Sequence, residues 1–280
     1  MTAGAVTADR KATTFGSSPG KIARAWSDII EGVSLWQLWG TLGWNDILQR
    51  YRRSMLGPFW LTLSMAIMVI TLGILYGTLF ATPIRDFIPF LCAGLLVWTF
   101  ISSALNEAGS LFFGADSYIK QVRLPYTVYL FRFTWSRIII FLHNLVVYVG
   151  VAVYFELWPG VVGLLAIVSF AIVVANTALA TLLIGLVSAR FRDIPQIVTS
   201  LVQIAFFLTP VMWNPQLLGP HSYVVYLNPF YYFIEIVREP LLGHLPQWQL
   251  AAGTALITAV NLAITAIFFA RFRARIAYWV

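Results

Sequence analysis

Six long apolar runs fill most of this chain and restrict the solvent it can fold in. The cleanest covers residues 58–80, twenty-three positions without a charged side chain. A bilayer's hydrocarbon core is about 30 Å thick, so a spanning helix needs roughly 20 apolar residues. The other runs lie near 87–113, 128–155, 161–189, 196–213 and 250–270. Hydrophobic residues make up 60% of the chain and charged residues only 10%, too little polar sequence to wrap such helices in a water-soluble shell. The fold expected is therefore an all-α polytopic membrane protein with six transmembrane helices.

Charge gives the orientation. If the N-terminus is cytoplasmic, fourteen of the 18 Lys and Arg residues fall on the inner side. Only Arg85 and Arg238 fall outside, and Arg132 and Arg137 lie within the third span. By the positive-inside rule this places both termini in the cytoplasm. The net charge of +7 then reflects topology and contact with anionic lipid, and it is no argument for a nucleic-acid partner. A single cysteine, Cys92, lies in an apolar run and excludes disulfides and Cys-based metal sites. Residues 1–25 read as a disordered cytoplasmic tail without the apolar core of a signal peptide. Residues 26–275 form the membrane domain.

Between 26 and 51 apolar residues recur at helical spacing among polar ones, with Trp36, Trp39 and Trp44 close together. This pattern predicts an amphipathic interface helix, broken near Gly40 and Gly43. After the fifth run, six prolines from Pro210 to Pro246 punctuate the chain, and the apolar stretch 230–242 is too short to cross. A re-entrant outer hairpin between helices 5 and 6 is expected there, because irregular backbone at membrane depth must be buried in protein or line a wet cavity.

Ionisable groups inside spans usually face a bundle interior. Glu107 and Arg132 each sit about two turns above the inner end of their span, at a depth of about 10 Å, and are expected to pair. Arg137, His143 and Asn144 continue the polar character of the third span. Catalytic motifs are missing: there is no H-E-x-x-H, no G-x-S-x-G and no carboxylate cluster. Residues 16–21, Gly-Ser-Ser-Pro-Gly-Lys, fail as a phosphate loop, being one residue short and followed by Ile22 in place of Ser or Thr.

Three motifs carry a resemblance. Tyr51-Arg52-Arg53-Ser54-Met55-Leu56-Gly57-Pro58-Phe59-Trp60 opens the first span as Y-x-x-S-x-L-G-x-x-W. Arg192-Asp193-Ile194 forms the turn between spans four and five, followed by Phe206-Phe207-Leu208-Thr209-Pro210. Asn228-Pro229 lies in the outer hairpin. In this order they resemble type-2 ABC exporter permeases of the polysaccharide export family, the Wzm-type O-antigen, capsule and teichoic-acid exporters, over roughly residues 26–275.

The resemblance implies a homodimer in the bacterial cytoplasmic membrane, joined by two copies of a cytoplasmic ATP-binding subunit. ATP and Mg would reside on that partner, with no cofactor and no catalytic residue in this chain. It implies a coupling segment in the loop after span two, with Asp116, Ser117, Tyr118 and Lys120 as its contact residues. The substrate implied is a lipid-linked polysaccharide. Sugars stack on aromatic rings, so Tyr76, Phe206, Phe207, Trp213, Tyr231 and Tyr232 are the candidates for a glycan pathway. Arg50, Arg52 and Arg53, at the inner surface beside the first span, are candidates to hold the lipid's phosphates. Alternatives are a type-2 permease for a drug or small lipid, a membrane-embedded transferase, and a secondary transporter. The transferase would need an essential His or carboxylate, and the secondary transporter would show repeated halves.

Overall fold

The computed structural model describes residues 20–52, 57 and 59–280; residues 1–19 of the expected tail and half of the motif at 51–60, including Arg53 and Pro58, lie outside the described residues, while 21–25 of that tail are not disordered and open the first helix. Among the described residues every regular element is helical. α1 (Lys21–Ser34) and α2 (Trp36–Tyr51) lead into α3 (Phe59–Leu79) and α4 (Ile84–Glu107). Two short helices, α5 (Ser110–Phe113) and α6 (Asp116–Gln121), precede α7 (Tyr126–Tyr154). A 3₁₀ turn at Gly160–Leu164 starts α8 (Leu165–Arg190), followed by α9 (Ile194–Leu208). A 3₁₀ stretch, Pro215–Leu227, then leads to α10 (Pro229–Leu241), α11 (Trp248–Phe272) and α12 (Ile276–Trp279).

Five of these helices, α3, α4, α7, α8 and α11, are long and apolar enough to cross a bilayer. This is a multi-pass membrane protein. α9 has only 15 residues, about 22 Å of helix, short of a full hydrocarbon core. The sequence expects it to continue to residue 213. The helix instead stops where Pro210 removes an amide and the backbone turns extended at Thr209.

α4 is the centre of the bundle. Across its apolar window 78% is buried, against 17% for α3 and for α11. It packs on α3, α7, α8, α9 and α10, so its side chains point into protein on nearly every side. Phe100 of α4 meets Phe141 of α7 and Phe170 of α8, whose rings stack 3.7 Å apart. α8 and α11 are joined by a polar ladder instead. Asn176 donates to Thr258 Oγ1 at 2.8 Å, Asn261 donates to the Asn176 carbonyl at 2.9 Å, and Thr265 reaches the Leu179 carbonyl. Such bonds act as glue between helices where lipid provides no hydrophobic drive for association.

The N-terminal helices differ from expectation. Gly40 and Gly43 both lie inside α2, and the break comes at Leu35. One stripe, Asp28, Gly32, Trp39, Gly43, Asp46 and Arg50, faces the bundle at helical spacing. A Cβ on Gly32 would clash with Thr127, and one on Gly43 would sit 2.8 Å from the Arg132 carbonyl. These glycines are therefore contact points with α7 and not hinges. The opposite face exposes Ile22, Trp26, Ile30, Val33 and Trp36. The contacts advance along α7 from Thr127 to Ile139 and Ile140 as the helices advance from Asp28 to Ile47. Some 28 Å of α1–α2 thus covers some 18 Å of α7, an oblique path along that helix.

The N- and C-terminal elements gather at one end of the bundle. Arg273, just after α11, pairs with Asp28 of α1, and Lys120 of α6 donates to the Val280 carbonyl. At the opposite end Arg85 and Glu156 form a loose exposed pair between the α3–α4 and α7–α8 turns.

Candidate functional site

The end that carries α1, α2 and α6 holds a chain of acid–base contacts. α7 begins after Pro125, which supplies no side-chain cap. Asp28 takes over that role from α1, its carboxylate accepting from the amides of Tyr126 (3.1 Å) and Thr127 (3.0 Å). These amides would otherwise be orphaned at a helix N-terminus, which also favours negative charge. The same carboxylate accepts from Thr127 Oγ1 and from Arg273 Nε at 2.5 Å.

Further along α2, Asp46 takes a two-pronged hydrogen bond from Arg132, at 2.7 and 2.5 Å. Glu107, the last residue of α4, accepts from Arg137 at 2.9 and 2.5 Å and from Arg50 at 3.0 Å. This corrects the expected Glu107–Arg132 pair. Both residues line one cavity at this end of the bundle, but Arg132 and Arg137 are five positions apart and so about 140° apart around α7. Arg132 faces α2 and Arg137 faces α4. Burial lowers the proton affinity of the Arg50 guanidinium, yet the hydrogen bond and charge of Glu107 outweigh it and hold the group above its ordinary pKa.

Of the other basic candidates, Arg52 is exposed just beyond α2, and Arg53 lies outside the described residues. In α6, Asp116 and Lys120 pair at 2.7 Å across one turn, and Tyr118 and Ser117 are exposed beside them. Tyr118 is 53% exposed on this short helix.

The aromatic candidates divide into separate groups. Phe207 and Trp213 line a cavity of about 520 Å³ between α9 and the segment leading into α10. Phe206 sits beside it, packed on Trp98 and Phe207. Tyr231 contacts Tyr226 and Tyr232. Tyr232 is wedged into α11, where a Cβ on Gly253 would collide with its ring, so it serves packing first. Tyr76 belongs elsewhere, in a row with Phe80, Phe87 and Phe90.

That row leads to a group expected on the outer side, within the re-entrant hairpin. Arg238 on α10 is completely buried. It pairs with Glu235, donates to the carbonyls of Pro210 (2.8 Å) and Val211, and lies 3.9 Å over the Phe90 ring. Asn228 caps α10 by accepting from the Phe230 amide at 2.9 Å, and its amide group donates to Thr209 Oγ1 at 2.8 Å. Asn228-Pro229 is thus a helix start, an N-cap followed by proline at the first helical position, tied back to the end of α9. No cluster of His, Cys, Asp and Glu suited to a metal occurs among the described residues.

The ABC-2 type transporter family model matches residues 37–242, well over half of the chain and spanning α2 through α10. The chain belongs to the ABC-2 type transporter family. It is the membrane subunit of a transporter, and membership implies a partner ATP-binding subunit. The chain is also similar to the O-antigen export system permease protein RfbA of Myxococcus xanthus, 24% identical over 232 residues, covering 81% of this chain and 89% of that protein.

The ABC-2 match takes in α2 and the acid–base network around Asp46, Arg50 and Glu107, and it ends before α11. Asp28, Arg273, Asp46 and Arg137 had no part in the expected site. Asp28 and Asp46 lie 18 positions apart, five full helical turns, and that spacing was the available signal. It was masked by the assumption that polar residues of an amphipathic helix face water.

Proposed function

We propose that this ABC-2 permease exports a lipid-linked polysaccharide across a bacterial cytoplasmic membrane, as a homodimer with two ATP-binding subunits. The observation that carries the reading is its similarity, over four-fifths of its length, to a permease named for O-antigen export. The aromatic lining of the cavity at Phe207 and Trp213 suits a sugar chain, and Arg50 and Arg52 are assigned to the lipid phosphate for their basic charge beside the first span. In this reading both termini are cytoplasmic, and α9 with the irregular residues 209–213 makes the sixth crossing. α10 is then the re-entrant arm of the outer hairpin. The gathering of α1, α6 and the end of α11 at one end of the bundle supports that parity.

Coupling to the ATPase is assigned to α6, with Asp116, Ser117, Tyr118 and Lys120 as the contact surface. The test is co-expression with the candidate ATP-binding subunit, purification into lipid, and measurement of ATP hydrolysis and glycan export. Asp116→Ala and Tyr118→Ala should leave this chain folded and lower hydrolysis that depends on it. Failure of the two subunits to co-purify would overturn the assembly, and coupled hydrolysis without glycan export would overturn the substrate.

A further inference from the structure

A cavity of about 450 Å³ opens where α2 meets the ends of α4 and α7. Its charged lining is unbalanced. Arg50, Arg132 and Arg137 stand against Asp46 and Glu107, three positive groups to two negative, which leaves one positive charge. Two donors in this lining are unused. The Nε of Arg137, on a side chain only 5% exposed, and the hydroxyl of Tyr129, a residue that lines a second cavity as well, are buried without a hydrogen-bond partner among the described residues. Buried donors of this kind are costly unless something accepts from them. Arg50 and Glu107 are 42% and 39% exposed, so the mouth of the cavity is reachable from outside.

We propose that this cavity binds one singly charged phosphate group, and that the residues around it are built to hold that group. A phosphate anion would neutralise the excess charge, and its oxygens would give the idle donors an acceptor through charge-assisted bonds. Ile47, Leu111 and Phe133 form an apolar wall beside the arginines, which suits the glycerol portion of a lipid diester. Glu107 ends a 24-residue spanning helix, so the cavity stands at the level of lipid headgroups. Arg50 is also the residue proposed above for the exported lipid's phosphate; the occupant inferred here is a resident phosphate, so the two readings share that residue but not their ligand.

The experiment uses the purified full chain, without ATP or glycan, in neutral detergent. Binding of phosphatidylglycerol, phosphatidylcholine and inorganic phosphate is counted by native mass spectrometry. Gln49 lines the cavity and is exposed, so Gln49→Glu cancels the excess charge without disturbing packing. It should weaken phosphatidylglycerol binding about tenfold. Tyr129→Phe should weaken it several-fold, and Arg85→Gln, at the far end of the bundle, should leave it unchanged. Displacement of the lipid by inorganic phosphate assigns the site to free phosphate; resistance to displacement assigns it to the lipid headgroup. Equal binding of phosphatidylcholine and phosphatidylglycerol, or undiminished binding in both variants, would overturn the site. Because no transport is read, that result is separable from failure of the export reading.

Discussion

The carboxylate of Asp28 caps the first turn of α7 at Thr127, a residue 99 positions later in the chain. The side chain is fully buried and also pairs with Arg273. One residue therefore ties α1 to the start of α7 and to the end of α11. α7 itself begins directly after the loop that carries α6, so α1 is linked to the segment assigned to coupling through a single helix start.

Removing that cap has two costs, uncapped amides and a cation without its partner. Asp28→Ala should lower stability by about 3 kcal/mol, read as a fall in thermal midpoint of the detergent-solubilised chain. Asp28→Asn keeps the shape and one acceptor, and should fall between Asp28→Ala and the wild type. An unchanged midpoint in both variants would contradict the capping role.

The two arginines of α7 should behave differently towards Glu107. Glu107→Gln strands Arg137 in the bundle and should cost about 3 kcal/mol. In double-mutant cycles, Glu107→Gln with Arg137→Met should show strong coupling, whereas Glu107→Gln with Arg132→Gln should be close to additive. Coupling to Arg132 in place of Arg137 would mean that α7 is rotated relative to this structure.

Two glycines of α2 should respond in opposite directions. Nothing lies within 4 Å of a Cβ on Gly40, whereas one on Gly43 meets backbone of α7. Gly40→Ala should stabilise by roughly 0.5–1 kcal/mol through helix propensity. Gly43→Ala should destabilise by about 1–3 kcal/mol by pushing α2 off α7. Thermal midpoints of the two variants, measured side by side, decide the matter.

Arg238 holds the end of α9 against α10. Arg238→Leu leaves Glu235 buried and unpaired, and about 3–5 kcal/mol should be lost. Replacing both residues, as Glu235→Leu with Arg238→Met, should recover most but not all of it, because the Pro210 and Val211 carbonyls still lack their donor. Full recovery would show that these backbone bonds contribute nothing.

The membrane class was legible in the sequence because it depends on amounts: runs near 20 apolar residues and few charges leave no other solvent for the chain. Helix ends with local chemistry carry a signal too: Asn228-Pro229, noted only as a motif of the hairpin, has the composition of an N-cap followed by proline and starts α10. Position along a helix was read only in part: the expected span put Glu107 two turns inside its end, whereas it is the last residue of α4. Rotation about the helix axis could not be read. It is set by which neighbours pack on each face, and that decided that Glu107 meets Arg137 while Arg132 meets Asp46. Tertiary structure also decided which way α1 faces. Its apolar stripe points outward and its aspartate and glycine inward, because a bundle with lipid outside rewards close backbone approach and paired charge at its contacts.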